Sequence, residues 1–352
     1  MKSLVKNILL LFISLTLAAL LCQFLGDNWE EKLRQTLYKL TNDSIPTYTK
    51  TLIDEKGIPY VHYAGLHGVD AGDRYNPTIV ANYAINYYRQ LDDDEDTLNE
   101  GRFFNCIDWL IKNINDKGEY ALYEFGWRQP FYDSVNVPWT SGMASGRSIE
   151  ALTAAYRRYH KKEYYQAANK LLKGFYQPIH AGGFTYKDTS GWWYEEFADS
   201  NMHTPHILDG HIFALTGVHQ FWQLTKSDSA LFVFQRGIQS LKDHLPAYDM
   251  GNGWSYYDIY RTASDKKYHT LLTAQMKELW QLTGDPFFLR YYQAWQKPLN
   301  RPYVYRIIKE RNRSGLILYL LLSSLFFTLL FWVITVTRKT FPGMAHKLSI
   351  KI

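Results

Sequence analysis

Two long apolar runs bracket a middle region in which hydrophobic residues recur at helical spacing. Ile8 to Leu25 is almost wholly apolar, and Gly315 to Val336 is a second such run. At about 1.5 Å per residue they reach roughly 27 Å and 33 Å, close to the thickness of a bilayer core. Lys2 and Lys6 precede the first run, and Asp27, Glu30 and Glu31 come after it. The positive side is therefore N-terminal, which predicts a two-pass membrane protein with its central part on the periplasmic, extracellular or lumenal side. Residues 1–27 read as an anchor, with a signal peptide as the alternative. Residues 301–314 read as a basic linker, 315–337 as a transmembrane helix and 338–352 as a basic cytoplasmic tail.

Between these ends the pattern predicts paired helices. Residues 28–74 read as a short helix and then extended chain with Pro46 and Pro59, a stalk packed on the helical region after it. From Tyr75 to Asn300 four pairs are expected: Pro77 to Leu91 with Asp96 to Ile114, Arg147 to Tyr159 with Lys162 to Phe175, Leu208 to Leu224 with Ser227 to Leu245, and Thr270 to Leu282 with Pro286 to Trp295. Pro77 suits a first helical turn, and similar turns come after Trp222 and Trp280. The connections Gly118 to Gly146, Gly182 to His206 and Pro246 to His269 are far longer than ordinary loops, and such lengths are usually functional. Because each pair is antiparallel, all three must emerge at one end. The expected fold is all-α dominated: an incomplete (α/α) toroid of about four helix pairs, with β-hairpin loops at one end and two added transmembrane helices.

Aromatic content changes the picture of that end. Phe, Trp and Tyr make up 16% of the chain, with 28 Tyr and 11 Trp, and their flat faces stack on sugar rings as well as on bases. A net charge of only +5, with acidic residues interleaved, argues against a nucleic-acid reader. Cys22 and Cys106 are the only cysteines, which points neither to a disulfide framework nor to a thiolate metal site. His203, His206 and His211 do not share one helical face, and Pro205 interrupts them, so no metal is expected; nor is a cofactor. What remains is a cleft lined by aromatic and polar groups, suited to a polysaccharide.

Gly251 to His269 concentrates this chemistry, placing Tyr256, Tyr257, Tyr260 and Tyr268 around Arg261. Trp254 to Ile259 suits a short hairpin strand, on which Tyr256 and Tyr260 would share the packing face. In Trp193-Tyr194-Glu195-Glu196, alternation allows only one of the two carboxylates to enter the cleft.

Taken in order, Tyr75-Asn76-Pro77, Trp139 to Gly146, Trp193-Tyr194-Glu195-Glu196, Leu208-Asp209-Gly210, Leu245-Pro246-Ala247-Tyr248-Asp249, Tyr257-Asp258 and Tyr268-His269 resemble the C-terminal α-helical domain of the heparan sulfate D-glucuronyl C5-epimerases. The resemblance covers about Tyr75 to Leu299; the family's N-terminal β-structured region is not evident. It implies removal of the C5 proton of a glucuronate within a polymer and its return from the other face. Tyr257 and Tyr268 match two active-site tyrosines, Glu196 matches the glutamate, and Arg261 lies near the position of an arginine. Trp139, Trp193, Tyr194, Asp209 and Lys267 are the candidate substrate-binding residues. Phe197 stands where the family has a third tyrosine, and Asp209 where asparagine is usual. Either two tyrosines and Glu196 suffice, or Tyr194 substitutes, or the activity has changed.

A tyrosine base must lose a proton ordinarily held near a pKa of about 10, and a cation such as Arg261 beside it would favour that loss. Arg261, Lys266, Lys267 or a protonated Glu196 would meet the substrate carboxylate. The same carbanion chemistry also fits a polysaccharide lyase, and the same cleft an inactive polysaccharide-binding protein. The partners implied are a hexuronate-containing polysaccharide and a membrane, with a second copy of the chain and polysaccharide synthesis or export machinery as further candidates.

Overall fold

The computed structural model describes residues 2–41, 50–63, 69–91, 97–201, 204–309 and 312–340. His203, the tail beyond Thr340 and part of the expected stalk fall outside them. Two units are present, Pro46–Gln296 and Met1–Ile45 with Lys297–Ile352. In chain order, helix α1 (Lys2–Thr41) precedes strands β1 (Lys50–Ile53), β2 (Pro59–Tyr63) and β3 (Gly72–Arg74). Helices α2 (Pro77–Arg89) and α3 (Thr97–Lys112) lead to the short strands β4 (Asn115–Asp116), β5 (Ala121–Leu122), β6 (Glu124–Phe125) and β7 (Trp139–Thr140). Then come α4 (Gly142–Tyr159), α5 (Lys162–Gly174), the hairpin β8 (Thr185–Asp188) and β9 (Gly191–Tyr194), and α6 (Leu208–Thr225) with α7 (Asp228–His244). Helices α8 (Lys266–Thr283), α9 (Pro286–Leu299), α10 (Tyr303–Lys309) and α11 (Arg313–Thr340) are the last of the described elements.

The fold is all-α dominated, as the periodicity predicts. Helices α2, α4, α6 and α8 pack in series, with α3 on α2, α5 on α4 and α7 on α6. Glycine sets the closest contact: a Cβ on Gly217 would lie 1.9 Å from the Gly146 carbonyl oxygen, so the backbones of α4 and α6 touch. Arg147 of α4 donates to Asn82 of α2 at 2.7 Å, pairs with Glu150, and lies 5.0 Å over the Phe213 ring of α6. Glu278 of α8 feels the same Glu150, which together with burial raises its pKa. Arg147 thus ties α4 to α2 by a hydrogen bond and to α6 by a ring contact.

Local chemistry moves two helix starts and replaces the stalk. The Ser141 hydroxyl accepts from the Ala144 N–H at 3.1 Å, so α4 begins at Gly142, before the expected Arg147. Asp265 caps Tyr268 N–H at 2.8 Å, so Lys267 and Tyr268 sit in the first turn of α8 rather than in the loop. The extended chain expected before Tyr75 is a three-stranded antiparallel sheet, β1-β2-β3, whose Val61, Tyr63 and Ala71 pack against Ile79 and Trp127.

In the other unit, α1 packs on α10 and α11. Leu4–Glu30 and Arg313–Thr337 are long and apolar enough to cross a membrane. Within the expected linker, Tyr303–Lys309 form α10, which buries a charged side chain. Arg306 is 7% exposed and donates to both Asp27 oxygens at 3.1 and 3.0 Å. Glu30 accepts from Tyr303, Asn312 and Ser314 at 3.0, 2.7 and 3.1 Å.

Candidate active site

The three long connections meet, and backbone hydrogen bonds hold them together. Thr140 and Ala198 exchange N–H donors at 2.8 and 3.0 Å, joining the first connection to the second. Leu208 N–H donates to Tyr257 O at 3.1 Å and Ile259 N–H to Pro205 O at 3.0 Å, joining the second to the third. The Tyr132 hydroxyl donates to Asp258 at 2.9 Å, closing the first on the third. The expected hairpin over Trp254 to Ile259 is reduced to the isolated pairings Asp249 with Ser255 and Tyr256 with Ala263.

At this junction two carboxyl groups face each other's field. Glu196 comes just after β9, and its Oε2 lies where a Cβ on Gly210 would sit only 2.6 Å away. Glycine is required there for the carboxyl group to reach the start of α6. Burial, then Asp209, then Glu195 raise the Glu196 pKa well above the carboxylate range. Asp209, 4% exposed in the first turn of α6, is raised by burial to about 7, while the Asp209 and Gly210 N–H groups and Lys267 pull the other way. Gln275 of α8 donates its amide to the Asp209 carbonyl at 3.2 Å. Glu196 Oε2, Asp209 Oδ1 and Gln275 Oε1 are buried with no hydrogen-bond partner among the described residues. Buried polar atoms are ordinarily paired, so these three are open to hydrogen bonds from a polar ligand or from water.

Tyrosines surround the carboxyl groups. The Tyr257 and Tyr268 rings lie 4.7 Å apart at 56°. Burial, Glu196 and Asp209 hold the Tyr257 pKa well above 10. Burial, Asp209 and Glu196 raise Tyr268 to about 12, partly offset by a hydrogen bond with Tyr257. The Lys267 ammonium is 5.5 Å from the Tyr268 ring centroid. Sequence reasoning missed two further members. Tyr63 of β2 accepts from Asn76 at 3.0 Å and is raised to about 12 by burial and by Glu196, although the Asn76 bond lowers it. Tyr132 is raised by burial, Asp258, Glu196 and Asp209.

Other candidates lie elsewhere. Arg261 is an exposed loop residue with left-handed backbone (φ 62°), and the Tyr257 and Tyr268 pKa values are set by burial, then by carboxyl groups and neighbouring tyrosines. The expectation that an arginine depresses those tyrosines is therefore corrected: Lys267 is the nearby cation, and the tyrosines are held protonated. Trp139, Trp193 and Tyr194, expected to meet substrate, are core residues at 2%, 0% and 0% exposure. Trp139 stacks on Phe125 at 3.7 Å, and Trp193 on His211 at 4.1 Å. The Tyr194 hydroxyl is committed to Val233 O at 2.6 Å, so it does not replace the hydroxyl absent at Phe197. Tyr260 is 56% exposed rather than packed. Glu195 turns inward to His206, and both His211 ring nitrogens are engaged, with Tyr194 N–H and Gly237 O.

Residues 116–297 match the family model described as D-glucuronyl C5-epimerase C-terminus. An uncharacterized protein of Methanocaldococcus jannaschii is 30% identical over 190 residues, 53% of this chain and 59% of that one. A D-glucuronyl C5-epimerase of Caenorhabditis elegans is 32% identical over 182 residues, 46% of this chain and 28% of the relative. The chain thus spans less than two thirds of either relative. Solved structures resembling it include a GH76 α-mannanase of Bacteroides thetaiotaomicron (TM-score 0.45, 12% identity, covering 81% of this chain and 72% of that one). A cellobiose 2-epimerase of Bacillus thermoamylovorans also resembles it (TM-score 0.41, 10% identity, covering 78% and 87%). With its family model matched over more than half its length, this chain belongs to the D-glucuronyl C5-epimerase C-terminus family.

Proposed function

We propose that this protein is a membrane-anchored epimerase that inverts C5 of hexuronate residues in a polysaccharide by tyrosine-mediated proton transfer. The observation carrying this reading is the buried trio of unpartnered polar atoms on Glu196, Asp209 and Gln275 beside the Tyr257 and Tyr268 pair. Removing a proton next to a carboxylate places a second negative charge on that group, so the site must give it a proton or a cation. A Glu196 kept neutral by burial can donate a hydrogen bond to the substrate carboxylate, which an ionised glutamate cannot. One such donor is worth roughly 3 to 4 kcal/mol in the transition state.

The base is then a tyrosine that has passed its proton to Asp209. Moving a proton from a group near 12 to one near 7 costs about 7 kcal/mol at about 1.4 kcal/mol per pH unit. A turnover of about one per second allows a barrier of roughly 17 kcal/mol, so the transfer fits within it. Lys267 over Tyr268 favours the phenolate.

The test is to incubate the full chain, in detergent, with a glucuronate polymer in heavy water. Deuterium at C5 with iduronate formed is the expected result. An unsaturated uronate absorbing in the ultraviolet means a lyase, and binding without exchange means a tethered binder. Tyr257→Phe and Tyr268→Phe are each expected to abolish exchange; if both variants stay active, the site assignment is wrong.

A further inference from the structure

We propose that Tyr132 is the second-face proton-transfer residue, supplying from the first long connection the hydroxyl that Phe197 lacks, with Asp258 as its proton partner. This rests on the epimerase reading above. Inversion needs two proton-carrying groups on opposite faces of the sugar ring, and Tyr257 and Tyr268 lie against each other as one unit. Phe197 has no proton to offer.

The Tyr132 ring packs 5.9 Å from the Phe197 ring, and Phe197 in turn lies 5.1 Å from Trp139. The Tyr132 ring is thus a direct neighbour of the ring at position 197, and its hydroxyl is held by Asp258. Asp258, 2% exposed, is the residue directly after Tyr257 and divides its oxygens, with Oδ1 accepting from Thr262 N–H at 3.0 Å and Oδ2 from the Tyr132 hydroxyl at 2.9 Å. One residue thus ties the backbone of the first tyrosine unit to the hydroxyl of the second.

The segment carrying Tyr132 is fixed rather than loose. Gln129, 1% exposed, accepts from the N–H groups of Phe131 and Tyr132 at 2.6 and 2.9 Å, and its own amide donates to the Tyr132 carbonyl. Tyr132 is only partly buried, beside the exposed rings of Phe131 and Tyr260, so a polymer can reach it.

Protons and electrons balance across the step. A phenolate on the Tyr257 and Tyr268 side takes the C5 proton, and the C–H electron pair moves into the carboxyl group held by Glu196. Tyr132 then gives its O–H proton to C5 from the other face and becomes a phenolate. The proton that Asp209 took at the start then passes through solvent and the Asp258 carboxyl group to Tyr132, leaving both tyrosines protonated and Asp209 ionised as before. No oxidant, reductant or further reactant is needed.

Tyr132→Phe keeps the ring and removes only the hydroxyl, so the full chain carrying it is compared with wild type on a glucuronate polymer in heavy water. Inversion at C5 is expected to fall at least about 100-fold, the usual scale of one acid or base group. Exchange of the C5 proton of one epimer, with configuration retained, is expected to persist within several-fold of wild type. Adding Phe197→Tyr to Tyr132→Phe is expected to restore inversion. Wild-type inversion in Tyr132→Phe overturns the proposal while leaving the epimerase reading intact. Loss of inversion, exchange and polymer binding together, without rescue by Phe197→Tyr, shows a merely structural role and also overturns it. Absence of both exchange and inversion in wild type overturns the epimerase reading and this inference with it.

Discussion

Replacing Asp209 with asparagine isolates the electrostatic strain on which the site is built. The carboxyl group ordinarily titrates at 3.8 and is raised by burial to about 7 in the folded chain. An acid whose folded pKa exceeds its unfolded value opposes folding at high pH. Below about pH 4 both states hold the proton and nothing is lost. Between about 4 and 7 the unfolded chain ionises and the folded one does not, so stability falls with pH, and above 7 the full penalty is present. A gap of about 3 pH units at about 1.4 kcal/mol each gives about 4 kcal/mol. The asparagine amide keeps the shape and cannot ionise, so Asp209→Asn is expected to be near neutral at pH 4 and stabilising by up to about 4 kcal/mol at pH 8. For a unit of this size that corresponds to roughly 8 to 16 °C in melting temperature. Denaturant unfolding of the full chain in detergent, monitored by tryptophan fluorescence between pH 4 and 8, measures it. A difference between variant and wild type that does not grow with pH refutes the reasoning.

Two glycines give tests of different parts of the architecture. Gly217→Ala gains about 1 kcal/mol of helix propensity, but its Cβ would stand 1.9 Å from the Gly146 carbonyl oxygen, so α4 and α6 must separate. A net loss of about 1 to 3 kcal/mol is expected in the same unfolding assay, and unchanged stability would contradict the close helix contact. Gly210→Ala places its Cβ 2.6 Å from Glu196 Oε2 and 2.8 Å from Glu196 Cβ, so the root of that side chain must move as well as its carboxyl end. A loss of about 1 to 3 kcal/mol is expected, together with a fall of about 100-fold in C5 exchange by the protein that remains folded, the scale of one lost transition-state donor; full exchange would remove Glu196 from the mechanism.

The helices and their shared loop end were legible because each rests on repetition: apolar residues at helical spacing, and three overlong connections between antiparallel neighbours. Glu196, Asp209, Lys267, Tyr257 and Tyr268 come together in the structure because those connections converge. The roles of Trp139, Trp193 and Tyr194 were not legible. A tryptophan that stacks on His211 and one that stacks on a sugar have the same local sequence, and only burial separates them. Tyr63 and Tyr132 were missed for the opposite reason, since each lies on a segment far from Glu196 in sequence. Two signals were nonetheless present: Asn76, which caps α2 and also donates to Tyr63, and the hydroxyl absent at Phe197, for which the proposal above takes a substitute from another element. The start of α8 was also readable, because Asp265 is an ordinary capping residue three positions before Tyr268.

The direction of the tyrosine pKa shifts bears on how proton transfer can begin. Cations strong enough to outweigh burial would give a standing phenolate, ready to react but exposed to protonation by water. The structure instead buries Tyr257 and Tyr268 beside two carboxyl groups, so that both are held as acids despite the nearby Lys267, and burial holds Glu196 neutral. Under the proposed mechanism a base would exist only transiently in such a site, after a proton has moved to a group poised near neutrality, Asp209. A uronate carboxylate would contribute to that timing, by engaging the Glu196 proton on arrival and drawing electron density from C5 as the phenolate forms. An asparagine at this position, usual in the family that this sequence resembles, has no carboxylate to accept such a proton. Asp209→Asn therefore separates two designs in one protein. If exchange survives in that variant, the tyrosines receive their base form from another group; if it is lost while stability at pH 8 rises, Asp209 is the proton acceptor and its burial penalty is tied to catalysis.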